Sequence, residues 1–256
     1  MKVSLRTAGV IAVSASFAAV SARAAEPGAA EILKLTDAAH SNFKDLTIES
    51  KMIIREPGQD KGREFSFTTW MKGEDQRLVR FTAPGDVKGM GMLTEGRDTM
   101  YVYLPGFQRV RRMGTHLKNQ TFMGSDLNYE DMNEALYTGL YEPKYIGVEG
   151  DNWVLELTLL KGKQAEFPKL KMWIDRKIHQ STKIEFYDDK GENARTSLRT
   201  GWTRDEGPGD HYSPTSVKMI DHRRNGHSTE VVLVKAKANS NLPDDLFSQR
   251  SLIRGN

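Results

Sequence analysis

From Leu46 to the end of the chain, apolar and polar residues alternate in short runs, and that period of two constrains the fold more than any other feature. The alternation is seen in 46–54, 65–71, 77–82, 99–104, 153–160, 169–175, 182–187, 196–202, 216–221 and 229–238. A period of two places successive side chains on opposite faces of a strand. Turn signals such as Lys72-Gly73-Glu74-Asp75, Pro105-Gly106, Asp189-Lys190-Gly191-Glu192 and Asn225-Gly226 separate the runs. Strands joined this closely favour consecutive antiparallel hairpins over parallel crossovers. Helical spacing is confined to Glu31–Phe43, with Ile32, Leu35, Ala38, Ala39 and Phe43 on one face, and to a short final helix around Leu242–Phe247, with Pro243 near its first turn. The expected class is mainly β, with a few helices. Gly207-Pro208-Gly209-Asp210 reads as a long hairpin loop within one domain.

Residues 1–24 stand apart. Lys2 and Arg6 precede an apolar core, Val10 to Val20, and Ala22-Arg23-Ala24 has the small-x-small form of a cleavage site. The apolar stretch is too short to span a bilayer. The expectation is a signal peptide over 1–24 and a mature, soluble, exported domain over 25–256. No Cys follows the apolar run to take an N-terminal lipid. The whole chain has 37 Lys and Arg against 34 Asp and Glu. Three of those cations, Lys2, Arg6 and Arg23, lie within the first 24 residues and no acid does, which leaves 37 − 3 = 34 against 34. The basic balance therefore belongs to the leader, and it gives no support for nucleic-acid binding. With no cysteine in the sequence, disulfides, zinc–thiolate sites, iron–sulfur clusters and thiol catalysis are excluded. The domain must be stabilised by burial alone.

The densest group of carboxylates lies in Phe122-Met123-Gly124-Ser125-Asp126-Leu127-Asn128-Tyr129-Glu130-Asp131-Met132. Ser125, Asp126 and Asn128 are all good helix N-cap types, and Glu130 and Asp131 would then sit in or near the first turn, facing the positive end of the helix dipole. Gly124 would let the chain turn out of an extended piece. Leu127, Met132, Leu136 and Leu140 would form the apolar stripe behind. A cap of this kind contributes about 0.5–2 kcal/mol and accounts for every residue of the stretch. The competing readings are a hard-cation site on Asp126 and Glu130 at i, i+4, or an acid–base pair with one raised pKa. Neither has a third group nearby in sequence apart from His116. The sequence contains no G-x-S-x-G, no P-loop and no H-E-x-x-H, and Gly89-Met90-Gly91-Met92-Leu93 lacks the third glycine of a dinucleotide loop. His40, His116, His179, His211, His222 and His227 are scattered; His222 and His227 flank the Asn225-Gly226 turn and read as a surface pair. The expectation is no catalytic residue, no metal and no cofactor.

Trp70, Phe81, Met90, Met92, Tyr101, Tyr103, Phe107, Met113, Phe122, Met123 and Trp173 supply an excess of aromatic and thioether side chains. In 99–104 and 65–71 large side chains fall on both faces of a strand, so both faces of that part of the sheet need a cover. One cover can be a helix. The other can be protein or a ligand, and methionine suits a wall that adapts to its partner.

Three segments carry a resemblance. Phe81-Thr82-Ala83-Pro84-Gly85-Asp86-Val87-Lys88-Gly89-Met90-Gly91-Met92-Leu93 resembles the F-x-x-P-x-x-x-K-G-x-x-x-L segment of the outer-membrane lipoprotein-sorting proteins, a branch of the LolA/LolB-like superfamily. Tyr101-Val102-Tyr103-Leu104-Pro105-Gly106-Phe107-Gln108-Arg109-Val110-Arg111-Arg112 resembles its W/Y-x-Y-x-P-x-x-x-R-V-x-R segment, and Phe122 to Asp126 with Tyr129-Glu130-Asp131 resembles its most specific motif. The resemblance implies an open, curved antiparallel half-barrel of about ten or eleven strands, with helices closing an apolar concave face that takes acyl chains. It implies a periplasmic lipid or lipoprotein carrier, or else a binding subunit of an envelope export system. Its partners would be lipoprotein or lipid acyl chains, an inner-membrane transporter and an outer-membrane acceptor. The eleven aromatic and methionine residues named above would line the cavity. Arg109, Arg111, Arg112 and Lys118 would form a patch for headgroups or a partner, and contact with the membrane would be peripheral. A carrier must offset about 12 kcal/mol for a sixteen-carbon chain in water. This requires an elongated apolar hollow and no chemistry.

Overall fold

The structure, a computed structural model, describes residues 26–96, 99–114, 120–129, 131 and 136–254. Within these residues α1 spans Ala29–His40. The strands are β1 (Asp45–Arg55), β2 (Arg63–Lys72), β3 (Gln76–Ala83), β4 (Gly91–Glu95), β5 (Thr99–Leu104), β6 (Arg109–Arg112), β7 (Tyr141–Glu149), β8 (Asn152–Leu159), β9 (Lys169–Asp175), β10 (Ser181–Tyr187), β11 (Asn193–Arg204), β12 (Tyr212–Asp221) and β13 (His227–Ala238). A 3-10 turn at Asp244–Leu246 and α2 (Gln249–Arg254) end the chain. All thirteen strands belong to one sheet of order β6-β5-β4-β3-β2-β1-β13-β12-β11-β10-β9-β8-β7, and every pairing is antiparallel. The sheet is open, with β6 and β7 at its edges. Each strand is rotated by about 20–25° on its neighbour, and open sheets of more than about ten strands curl.

The ten alternating segments fall within ten of the strands. Three strands carry no clean alternation. The five residues of β4 begin at Gly91, two residues after Gly89. The four residues of β6 are Arg-Val-Arg-Arg, and β7 contains Pro143 and Gly147. Both β6 and β7 are edges, where one row of backbone groups faces water and the side chains need not alternate. Pro143, Lys144 and a bulge between Tyr145 and Gly147 make β7 a poor template for another strand.

Strand register separates the two faces. Met52 opposes Phe65 and Val231, Phe67 opposes Phe81, and Val79 opposes Met92, which opposes Val102. On the other half, Ile184 opposes Met172, which opposes Leu155. These residues share the inner face. They form two clusters, one around Phe67, Phe81 and Phe122 and one around Leu155, Met172 and Ile184, and Phe186 packs against both. α1 covers the second cluster with Ile32 and Leu33. Its Asp37 carboxylate accepts the backbone N–H groups of Tyr137 and Thr138 at 3.2 and 2.7 Å, so the helix also pins the chain that enters β7.

Over β2 to β6 the outer face carries an apolar cluster. There Trp70, Leu78, Leu93, Tyr101, Tyr103 and Val110 meet Leu242, Leu246, Phe247 and Leu252 of the C-terminal segment. Arg80, 6% exposed, donates to the carbonyls of Ser251 and Leu252 and so satisfies the open end of α2. Gly91 permits the close approach: a Cβ there would stand 2.7 Å from Leu252 Cδ1.

Leu252→Ala is expected to cost about 2–5 kcal/mol in urea unfolding. Gly91→Ala should be less costly in that background than in the wild type, because the atom it clashes with is gone. Additive costs would show that α2 is not seated by this contact.

Candidate functional site

On the inner face over β2 to β5 lies a strap, residues 120–129 and 131. Thr121 and Asn128 form an isolated antiparallel bridge, and Phe122 N–H donates to Leu127 O at 2.7 Å. Between them Met123 (φ 53°) and Gly124 (φ 75°) are both left-handed, and Ser125 N–H closes on Phe122 O at 2.8 Å. That is the form of a type I′ turn, whose second central position favours glycine. The turn drives Phe122, 0% exposed, onto Phe81 with ring centroids 5.4 Å apart, and Tyr129 meets Phe122 edge-on at 5.3 Å.

Polar side chains fasten the strap. Asp126 is 3% exposed. Its carboxylate accepts from His227 Nδ1 at 2.6 and 2.7 Å, from Thr229 Oγ1 at 2.8 Å and from Arg224 Nη1 at 3.1 Å. Its backbone N–H donates to the same Thr229 hydroxyl at 2.8 Å. Arg224 also donates to the carbonyls of Gly124 and Ser125. Further along, Asn128 and Asp131 exchange backbone N–H bonds with each other's side chains at 2.8 and 2.6 Å. Asn128 Nδ2 donates to Glu166, and Asp131 pairs with the buried Arg195. The Arg195 guanidinium lies against the rings of Phe167 and Phe186. Burial pushes the Glu166 carboxyl above its usual range, although Arg195 and Arg223 pull it down. Burial also raises the Tyr129 hydroxyl.

This geometry corrects the helix-cap reading of Asp126. The described residues of the strap contain no α-helix, and Asp126 is bound to β13 and to the 3-10 turn His222–Arg224 instead of to backbone N–H groups of its own segment. The reciprocal bonds of a capping box belong to Asn128 and Asp131. Glu130, Met132 and Lys118 lie outside the described residues. Leu140 packs on the α1 cluster and Leu127 on the Phe81 cluster, so they do not share one stripe. His227, expected at the surface, is 1% exposed, while His222 bonds to Thr196 Oγ1 at 2.8 Å. His227 and Thr229 are the partners of Asp126 that sequence reasoning missed. Their signal was a spacing of two behind the Asn225-Gly226 turn, which places both on one face of β13.

The predicted cavity lining divides. Phe81, Met90, Met92, Met113, Phe122 and Met123 come together in the inner-face cluster. Trp70, Tyr101 and Tyr103 lie on the outer face under the C-terminal segment. Trp173 is on the outer side of β9, its ring flanked by Lys171 and Lys183 Nζ at 4.5 and 4.1 Å and its Nε1–H donated to Glu149. Phe107 is 69% exposed. The six that assemble are packed against the strap and one another; Phe122, Phe81 and Met92 are 0, 1 and 2% exposed. A hollow of about 520 Å³ does open on the molecule. It lies between the C-terminal half of α1, the β9–β10 turn and the β11–β12 loop, is lined by Leu35, Asn42, Ile178 and His179 among others, and includes none of the predicted lining.

The Asp126–His227 pair resembles the orienting half of a catalytic dyad, but His227 Nε2 has no hydrogen-bond partner, and Glu56 Oε1 stands 3.6 Å away. Among the described residues no three His, Asp or Glu side chains converge as a metal site.

The open antiparallel sheet with its helical covers is similar in fold to several solved structures. The structure matches a LolA superfamily protein from Nitrosomonas europaea over 88% of this chain and 100% of that one, at TM-score 0.71 and 22% identity. It also matches a Vibrio parahaemolyticus domain named for outer membrane lipoprotein sorting (89% and 98% covered, TM-score 0.78, 24% identity). A DUF1329 family protein from Desulfovibrio piger matches as well (88% and 97% covered, TM-score 0.79, 24% identity). A family model described as "Uncharacterized protein" matches residues 73–254, and the chain belongs to that family. Comparison with curated proteins gives no match.

Asp126→Ala leaves His227 and Thr229 without their hydrogen-bond acceptor and Arg224 without its counter-charge, and is expected to cost about 3–5 kcal/mol in urea unfolding, the range for one partner lost from a buried pair. A loss near 1 kcal/mol, the size of a missing helix cap, would show that the strap is held by its apolar contacts alone.

Proposed function

We propose that this protein is a non-enzymatic lipid or lipoprotein carrier of the periplasm, and that acyl chains bind on the inner face where the strap now lies. One observation carries the reading. The seat under the strap is wholly apolar, built from Phe65, Phe67, Val79, Phe81, Met92 and Val102, while the strap is fastened mainly by polar side chains at its margins. A hydrocarbon chain replacing Phe122 and Leu127 would keep the seat dry, and Met90, Met92, Met113 and Met123 can adjust to its path. The likeness to lipoprotein-sorting folds supports the same reading, as does the signal-peptide pattern of residues 1–24. The carrier would receive cargo from an inner-membrane transporter and pass it to an outer-membrane acceptor. Carriage needs no reacting group, and the Asp126–His227 pair serves to fasten the strap.

A second reading has its own observation. The inner face is filled by the protein's own side chains, which suits a binding subunit of an export system that uses the fold without carrying free lipid.

Organic extraction of the purified protein followed by mass spectrometry, together with titration of a fluorescent fatty acid, separates the two. The carrier reading expects co-purified acyl lipid and saturable uptake, with tighter apparent binding in Asp126→Asn, where the strap is more easily lifted. Protein that extracts empty and takes up no fatty acid in either form would leave the binding subunit as the function.

A further inference from the structure

Phe107 has no place in the core, and it is the most exposed of the large apolar side chains among the described residues. It sits at the tip of the β5–β6 hairpin. Pro105–Phe107 form a 3-10 turn there, Gln108 N–H closes on Pro105 O at 3.1 Å, and Gln108 is left-handed with φ 50°. The turn is therefore stiff and presents the ring outward. Behind it the edge strand β6 carries Arg109, Arg111 and Arg112, all exposed and none in an ion pair with a described residue. Register places Arg109 and Arg111 opposite Leu104 and Val102, on the inner side, and Arg112 opposite Tyr101, on the outer side. The tip is thus flanked by cations on both faces. The neighbouring loop, whose Gly89 lies beside Pro105, adds exposed Lys88 and one acid, Asp86.

We propose that this hairpin docks the protein on an anionic lipid surface, with Phe107 inserted at the boundary of headgroups and acyl chains and the arginines on the phosphates. The dimensions agree. Strand residues advance about 3.3 Å each, which sets Arg109 and Arg111 roughly 7 and 13 Å behind the ring. A group seated about 5–10 Å into the interface leaves such cations at headgroup level. Arginine forks match phosphate oxygens in pairs, and basic residues near an anionic leaflet each add attraction that fades within a Debye length. An acidic protein partner would use the arginines but gives no reason for a lone aromatic at the point of the turn. The inference stands apart from acyl carriage, since the hairpin tip and the strap's seat are different surfaces.

Co-sedimentation with phosphatidylglycerol–phosphatidylcholine vesicles tests it. The wild type should bind, bind less as salt rises, and stay free with pure phosphatidylcholine. Phe107→Ser should weaken binding about tenfold, and Arg109→Glu with Arg111→Glu by about thirtyfold or more. Both variants replace exposed side chains, so thermal unfolding should not move. Fatty-acid uptake should also be unchanged, which keeps this result distinct from the carrier test. Wild-type protein that remains in the supernatant overturns the proposal, and so does Phe107→Ser binding as tightly as wild type. Loss of binding in the arginine variant alone would reduce the contact to charge and remove the insertion of Phe107.

Discussion

A sheet of thirteen strands that is not closed into a barrel has two faces and two edges, and none of them can be left both apolar and open. Most of the structure follows from covering them. α1 closes the inner face over β7 to β11, the strap closes it over β2 to β5, and the C-terminal segment closes the outer face over β3 to β6. The strap is irregular backbone laid on an apolar surface. Its N–H and carbonyl groups need partners that neither a helix nor a ladder supplies. The I′ turn, the Ser125 hydroxyl bonded at both ends to Leu127, and Arg224 on two carbonyls provide them. Asp126 is the centre of that arrangement because one carboxylate joins the strap to β13 and to the turn before it.

The sheet was legible because its strands alternate, and they alternate because most have one face in the core. Where that cause is absent the pattern is absent too. β6 and β7 are edges, and their sequences are written by solvent and by protection against pairing. The two large faces in 65–71 and 99–104 were legible as a need for two covers. Which cover lay on which side was not, because a period of two assigns residues to opposite faces without saying which face is inner. That is why Trp70, Tyr101 and Tyr103 were grouped with Phe81 and Met92 and lie across the sheet from them. The strap was misread for a different reason. Ser, Asp and Asn serve equally as helix caps and as turn residues. The deciding partners, His227 and Thr229, lie 101 and 103 residues away in sequence.

The chemistry of the strap differs between its seat and its margins, and that difference bears on how a cover can also be a gate. Apolar contact is non-directional and tolerates exchange of one hydrocarbon for another. The buried ion pairs are directional, and they are costly to break singly. A segment held by both has a single closed position. On the proposed function, it surrenders its seat to a ligand that offers the same apolar area once the polar fastenings are released together. Arg224 and Glu166 stand at the exposed margin of the network, with side chains 35 and 25% accessible. Release is therefore open to a partner surface from outside, without first disturbing Phe122.

The same reasoning separates the strap from the β5–β6 hairpin. Phe122 and Phe107 are both aromatic residues at tight turns, one fully buried and the other largely in water. A fold that needed Phe107 for packing would have turned it inward, as the I′ turn does for Phe122. The 3-10 turn after Leu104 holds it out instead, on an edge where the neighbouring charges are basic. An outward phenylalanine on such a turn adds little to the core, which is what the proposed contact with a lipid surface requires.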